Sequence, residues 1–190
     1  MKNILSNSIG SLHSDRIEII TEASWSDFIN LDVRGAKKSF RNGVVTIVSP
    51  GRNHEILADL IRSVIWAYCR QENLALFPYN STTLKVENKE GKEPDVAYCI
   101  NTDKEKPDLA IEINLTSGSV DDLTKYQYLK IPEVWLWENK KINFYSLEQN
   151  RYLNIKRSEV LNGLTCDGVT TIVNFCFGKN LFEVEKFFKF

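Results

Sequence analysis

A carboxylate in the middle of an apolar strand needs a reason to be there, and this chain carries one at Glu112, within Leu109-Ala110-Ile111-Glu112-Ile113-Asn114-Leu115. The alternation is strict: Ile111 and Ile113 belong to one face, Ala110, Glu112 and Asn114 to the other. Burying such a charge without a partner costs several kcal/mol. A second strand-like run, Val96–Ile100, lies upstream across the turn-forming segment 101–107, with Asp95 at its head. If the two runs pair antiparallel, Asp95 falls opposite Glu112, and opposite residues share a face. Two like charges side by side are unfavourable unless a cation lies between them. Oxygen-only ligands suit a hard divalent ion, magnesium (or manganese), held by one or two carboxylates plus water and substrate phosphate. The plainer alternative has Asp95 following Pro94 in a turn and Glu112 paired with a surface lysine.

The elements that would position these residues can be read on either side. Ser24 caps a short helix from Trp25 to about Asp32. Asn42-Gly43 between alternating apolar residues is a hairpin turn, giving strands near Lys38–Arg41 and Val44–Ser49. Asn53 is a candidate cap for a helix from His54 to about Glu72, whose Ile56, Leu57, Leu60, Ile61, Val64, Ile65 and Tyr68 form one apolar face. Leu74–Pro78 and Ser81–Val86 read as strands, and 88–92 as a charged, solvated turn. Lys85 and Lys92 fall near the carboxylate end, within reach of a phosphate. After Leu115 comes a helix with Ser119 as cap and Asp121 and Asp122 in its first turn, then a strand over Val134–Trp137. That β–α–β unit implies parallel pairing of the two strands. A hairpin through Asn139-Lys140 and a further strand at Arg151–Ile155 complete the sheet.

The pieces P-D at 94–95, D-L-A-I-E-I at 108–113, K-Y at 125–126 and P-E-V-W at 132–135 resemble the Uma-type putative restriction endonuclease family, within the PD-(D/E)xK nuclease superfamily. V-S-P-G-R-N-H-E at 48–55 and S-T-T-L-K at 81–85 extend the likeness over roughly Trp25 to Leu147. The resemblance implies an α/β (α+β) fold with a restriction-endonuclease-like core, its central mixed β-sheet flanked by helices. It also implies a metal-dependent phosphodiesterase acting on DNA, with Asp95 and Glu112 as catalytic metal ligands. One departure matters: the superfamily places a lysine two residues after the glutamate, where this chain has Asn114. Asparagine can orient water or backbone but brings no positive charge. Since members of the superfamily sometimes carry that lysine on the neighbouring helix, Lys125 is the substitute; its plain alternative is an ion pair with Asp121 or Asp122. Glu55 corresponds to an accessory acidic residue on the helix before the sheet, or simply complements that helix's dipole. His54 orients water or phosphate, or is merely solvated.

Length and composition set the frame. At 190 residues, 43% hydrophobic and 26% charged, the chain reads as one soluble globular domain over 1–190. Within it lie an irregular arm at 1–21, a nuclease-like core at 25–147 and a C-terminal helical extension at 158–190. The four cysteines are scattered without a zinc or disulfide pattern. No apolar run reaches membrane-spanning length and the N-terminus lacks a signal-peptide core, so a cytoplasmic location is expected. A net charge of −1 and a pI near 6.2 argue against tight nonspecific DNA binding. Asn114 and this charge leave open a second function, a catalytically degenerate nuclease-fold module binding nucleic acid or a protein. A nucleophile-dependent hydrolase lacks any G-x-S-x-G or paired histidine. Phe182, Phe187, Phe188 and Phe190 crowd the C-terminus; they pack on the chain's own core or form a homodimer contact.

Overall fold

The computed structural model describes residues 4–7, 13–79, 82–115 and 119–189, with two six-stranded sheets flanked by helices. The strands of the first sheet are β1 (Ile4–Asn7), β2 (Arg16–Ile20), β3 (Lys37–Arg41), β4 (Val44–Ser49), β6 (Leu84–Val86) and β7 (Glu90–Lys92). They run antiparallel in the order β1-β2-β4-β3-β7-β6. The second contains β5 (Leu76–Pro78), β8 (Val96–Ile100), β9 (Leu109–Asn114), β10 (Glu133–Glu138), β11 (Lys141–Glu148) and β12 (Arg151–Ile155). Its order is β12-β11-β10-β9-β8-β5, and it is mixed because β9 and β10 are parallel.

Helix α1 (Trp25–Asn30) begins where Ser24 closes a reciprocal capping box with Asp27. The turn between β3 and β4 uses Asn42 at φ 48° and Gly43 at φ 77°, the left-handed pair that matches hairpin twist. Helix α2 (Arg52–Gln71) starts two residues earlier than expected, with Gly51 rather than Asn53 at the cap. Helix α3 (Ser119–Leu129) has Ser119 as its first residue, so the cap position falls at 118, outside the described residues. Residues 80 and 81, at the head of the expected 81–86 strand, and Phe190 also lie outside them.

Side-chain alternation on β9 divides the interior as a period of two demands. Ile111 and Ile113 join Leu57, Ile61, Val64 and Trp135 in the main core beneath α2 and α4 (Cys166–Cys176). Ala110 turns the other way, toward Tyr126 and Leu129 of α3. The P-E-V-W segment is architectural. Buried Glu133 accepts from Trp135 Nε1 at 2.6 Å, Ser158 Oγ at 2.6 Å and the Glu159 and Val160 amides at 2.8 and 3.2 Å. Glu133→Gln places an amide group among these donors and is expected to lower stability by about 2 kcal/mol, read from the urea midpoint.

Two expectations are corrected. The N-terminal arm is not irregular, because Arg16–Ile20 pairs along its length with β4 and Ile4–Asn7 extends the same sheet. The charged segment 88–92 is not a solvated turn: Glu90, Gly91 and Lys92 are buried in β7, between β3 and β6. Gly91 is required there, since a Cβ would lie 2.2 Å from Phe28 Cε1. At the C-terminus, a 3-10 helix (Leu181–Phe187) buries Val184 and Phe188 packs partly on the core, while Phe182 and Phe187 stay exposed.

Candidate active site

The register of β8 against β9 pairs Val96 with Ile111 and Ala97 with Ala110, and one further step sets Asp95 opposite Glu112. Both carboxylates are buried and line one cavity of about 220 Å³ where the two sheets meet. The second sheet supplies Asp95, Glu112 and Asn114; β3 and β7 of the first supply Lys37, Ser39 and Lys92. The first turn of α2 adds His54, and α3 adds Asp122 and Lys125.

Asp95 is held from every side. Its Oδ2 accepts the Ile113 amide at 2.8 Å, and its Oδ1 meets Lys37 Nζ at 2.6 Å. His54 Nε2 lies 3.1 Å from the same Oδ1, close enough for charge attraction although its N–H is not aligned for a hydrogen bond. Burial alone would raise the Asp95 pKa, yet His54, Lys37 and Lys92 hold it well below the usual carboxylate range. His54 is gripped on its other nitrogen by Asp15 at 3.0 Å. Burial would lower its pKa, but Asp15 and Asp95 outweigh that and bring it to about 9, so the imidazole is charged at neutral pH.

Glu112 has a different environment. Its Oε2 accepts from Lys92 Nζ at 2.9 Å, and its Oε1 takes the Tyr126 hydroxyl. Burial raises its pKa to about 7; Lys92 opposes the rise, and the neighbouring Asp95 and Asp122 add to it. Lys92 also reaches Asp122 at 3.2 Å. Burial works against its charge, but Asp122, Glu112 and Asp95 together raise its pKa and keep it an ammonium.

The remaining expected residues are distributed unevenly. Lys125 lines the cavity, 3.6 Å from Asp122 and 3.5 Å from Ser39 Oγ. Asn114 also faces it, with a buried Nδ2 that has no hydrogen-bond partner. Glu55 is exposed and faces a separate depression shared with Lys37, Arg62 and Asp95. Lys85 is exposed and outside the cavity. Sequence reasoning missed Asp15 and Lys37; it placed Lys92 near the carboxylates but in a solvated turn, whereas Lys92 is buried in β7. The signal for Asp15 was its position just ahead of the alternating Arg16–Ile20; for Lys37, its place two residues from Ser39 on a strand.

Among the described residues, no three His, Cys, Asp or Glu side chains form a preassembled metal cage. The donor chemistry nevertheless fits a divalent, oxygen-preferring ion. Asp95, Glu112 and Asp122 are hard donors around one cavity, and Asp95 and Glu112 each already hold a cation, the ammonium groups of Lys37 and Lys92. A metal ion would share these carboxylates with the lysines or displace them.

A mixed central sheet flanked by helices, with Asp95 at the head of one strand and Glu112 on its neighbour facing a cavity of mixed charge, defines a restriction-endonuclease-like α/β protein. The fold is similar to the crystal structure of a putative nuclease belonging to DUF820 from Anabaena variabilis ATCC 29413, with TM-score 0.55 and 16% identity, covering 79% of this chain and 98% of that one. No curated protein matches the chain. Residues 25–170 match the Uma2 family, described as putative restriction endonuclease, and the chain belongs to that family. No helix among the described residues is long and apolar enough to cross a membrane.

Proposed function

We propose that the protein is a magnesium- or manganese-dependent endonuclease that hydrolyses phosphodiester bonds in DNA. The observation that carries this reading is that Asp95, just before β8, and Glu112, on the adjacent β9, face one cavity in a chain of this family. Asp95 and Glu112 would hold the ion, which when bound acidifies a water molecule and offsets charge on the scissile phosphate.

The chain's own residues account for the rest. Lys37, His54 and the Ile113 amide fix the Asp95 carboxylate in one orientation and keep it ionised. Asp15 locks His54 behind it. Tyr126 and Lys92 fix the orientation of Glu112 and oppose, without overcoming, the rise in its pKa that burial causes. Lys125 supplies positive charge from α3, and Asn114 orients water. Glu55 contributes from the adjoining depression, where it shares lining residues Lys37 and Asp95 with the cavity.

Charge supports an anionic substrate that arrives after the metal. The lining carboxylates Asp15, Glu93, Asp95, Glu112 and Asp122 are matched by Lys37, Lys38, His54, Lys92 and Lys125, so the cavity alone is close to neutral. A divalent ion turns it positive, and a phosphodiester then restores the balance. The volume of about 220 Å³ is below the roughly 300–1,000 Å³ typical of small-molecule sites, which favours one phosphate of a longer chain.

The self-neutralised carboxylates also favour a second reading, a nuclease-fold module that binds nucleic acid or protein without cutting. Nicking of supercoiled plasmid DNA separates the two. Cleavage that requires magnesium or manganese and falls at least about 10³-fold in Glu112→Gln supports the nuclease. DNA retained in a shift assay but never cut with either ion supports the module.

A further inference from the structure

We propose that Lys92 is the principal lysine of the reaction centre, its ammonium facing the scissile phosphate beside Glu112. This rests on the nuclease reading and adds a residue to it. The strand position two residues after Glu112 holds Asn114, whose side chain reaches the cavity and leaves a buried Nδ2 unbonded. That position therefore brings no positive charge to the cavity. Lys92 lines the same cavity from the other sheet. Its Nζ donates to Glu112 Oε2 at 2.9 Å and lies 3.2 Å from Asp122, whereas Lys125 sits 3.6 Å from Asp122 and 3.5 Å from Ser39.

Lys92 is also held firmly in place. It lies in β7, where backbone pairing opposes it to Ser39 on one side and Leu84 on the other. Phe28 presses on the adjacent Gly91, and the ring of Tyr126 lies 6.0 Å from the ammonium. A cation fixed before the reaction, in a site shielded from water, stabilises developing charge without reorganisation. In the step it assists, a water oxygen bonds to phosphorus and the bond to the leaving oxygen breaks. The two protons of water end on the new phosphate group and the leaving hydroxyl. Lys92 keeps its own protons throughout and acts by charge and hydrogen bonding.

The test compares wild type, Lys92→Met, Lys125→Met and the double variant Lys92→Met/Asn114→Lys. Plasmid cleavage and manganese titration by calorimetry are the two readouts. Lys92→Met is expected to cut about 10²–10³-fold more slowly, a larger loss than Lys125→Met shows. It is also expected to bind manganese several-fold more tightly, because a competing ammonium has left Glu112. The double variant, with the lysine moved to the strand position, should recover to within about tenfold of wild type. Folded Lys92→Met cutting within threefold of wild type (~0.7 kcal/mol) overturns the assignment, as does an equal or larger loss in Lys125→Met. If Lys92→Met does not fold, the double variant decides, and its failure to cut overturns the proposal. If wild type cuts no nucleic acid, the nuclease reading has failed by itself. Manganese affinity unchanged in Lys92→Met then removes the role of Lys92 at the cation site as well.

Discussion

Asp95→Asn is expected to abolish cleavage and to destabilise the protein at the same time, because one carboxylate serves both ends. The activity arm follows from the loss of a charged ligand oxygen and should exceed about 10³-fold. The stability arm follows from what Asp95 neutralises. Asparagine can still accept from the Ile113 amide, but charged His54 and Lys37 lose their shared counter-charge at Oδ1. Removing one partner from a buried ion pair costs roughly 3–5 kcal/mol, mostly as the penalty of the cation left behind. Lys37 is partly exposed and can turn outward, so the lower end applies. His54, only 2% exposed, cannot turn away without breaking its bond to Asp15. Urea unfolding at neutral pH should show a loss of about 3 kcal/mol. In the double variant Asp95→Asn/His54→Gln, coupling between the two sites should return at least about 1 kcal/mol of it. Strictly additive losses would mean that His54 does not depend on Asp95.

The carboxylate pair was legible in the sequence because a two-residue period leaves no freedom. Once Ile111 and Ile113 face the core, Glu112 must face away, and the short 101–107 connection sets which residue opposes it. The Asn42-Gly43 hairpin and the β9–α3–β10 unit were legible for the same kind of local reason. What escaped was non-local. Residues 88–92 have no apolar alternation, and their burial comes from β3 and β6 closing on both sides of β7. Lys92 therefore looked like a surface lysine, although three carboxylates wait for it in the fold. Asp15 and Lys37 were hidden likewise, because their partners His54 and Asp95 are distant in sequence. The C-terminal phenylalanines gave too strong an apolar signal, as Phe182 remains 71% exposed.

Stability is expected to fall as pH rises from mildly acidic to alkaline, opposite to the usual behaviour of a protein held by salt-bridged carboxylates. Two groups set the sign. Glu112 has a folded pKa of about 7 against an ordinary 4.5, so the stability tied to its protonated form is complete below about 4.5 and lost as pH passes 7. His54 has a folded pKa of about 9 against 6.5, so its ion pairs with Asp15 and Asp95 contribute fully below about 6.5 and are lost through 9. Asp95, with its pKa depressed, works the other way and withdraws stability only as pH falls below its ordinary 3.8. The maximum should therefore lie between about 4 and 6, with a loss on the order of 5 kcal/mol by pH 9.5 when the two limbs are combined. Because Glu112 and His54 both face Asp95, the limbs are not strictly additive. Urea midpoints at pH 5, 7 and 9, without divalent ions, read the curve directly. His54→Gln should flatten the segment above pH 7 and Glu112→Gln the segment below it, each at a lower overall stability. A wild-type profile level from pH 5 to 9 would show that neither group is held as the buried network requires. Adding magnesium should reduce the loss above pH 7, since an ion can replace the proton lost from Glu112.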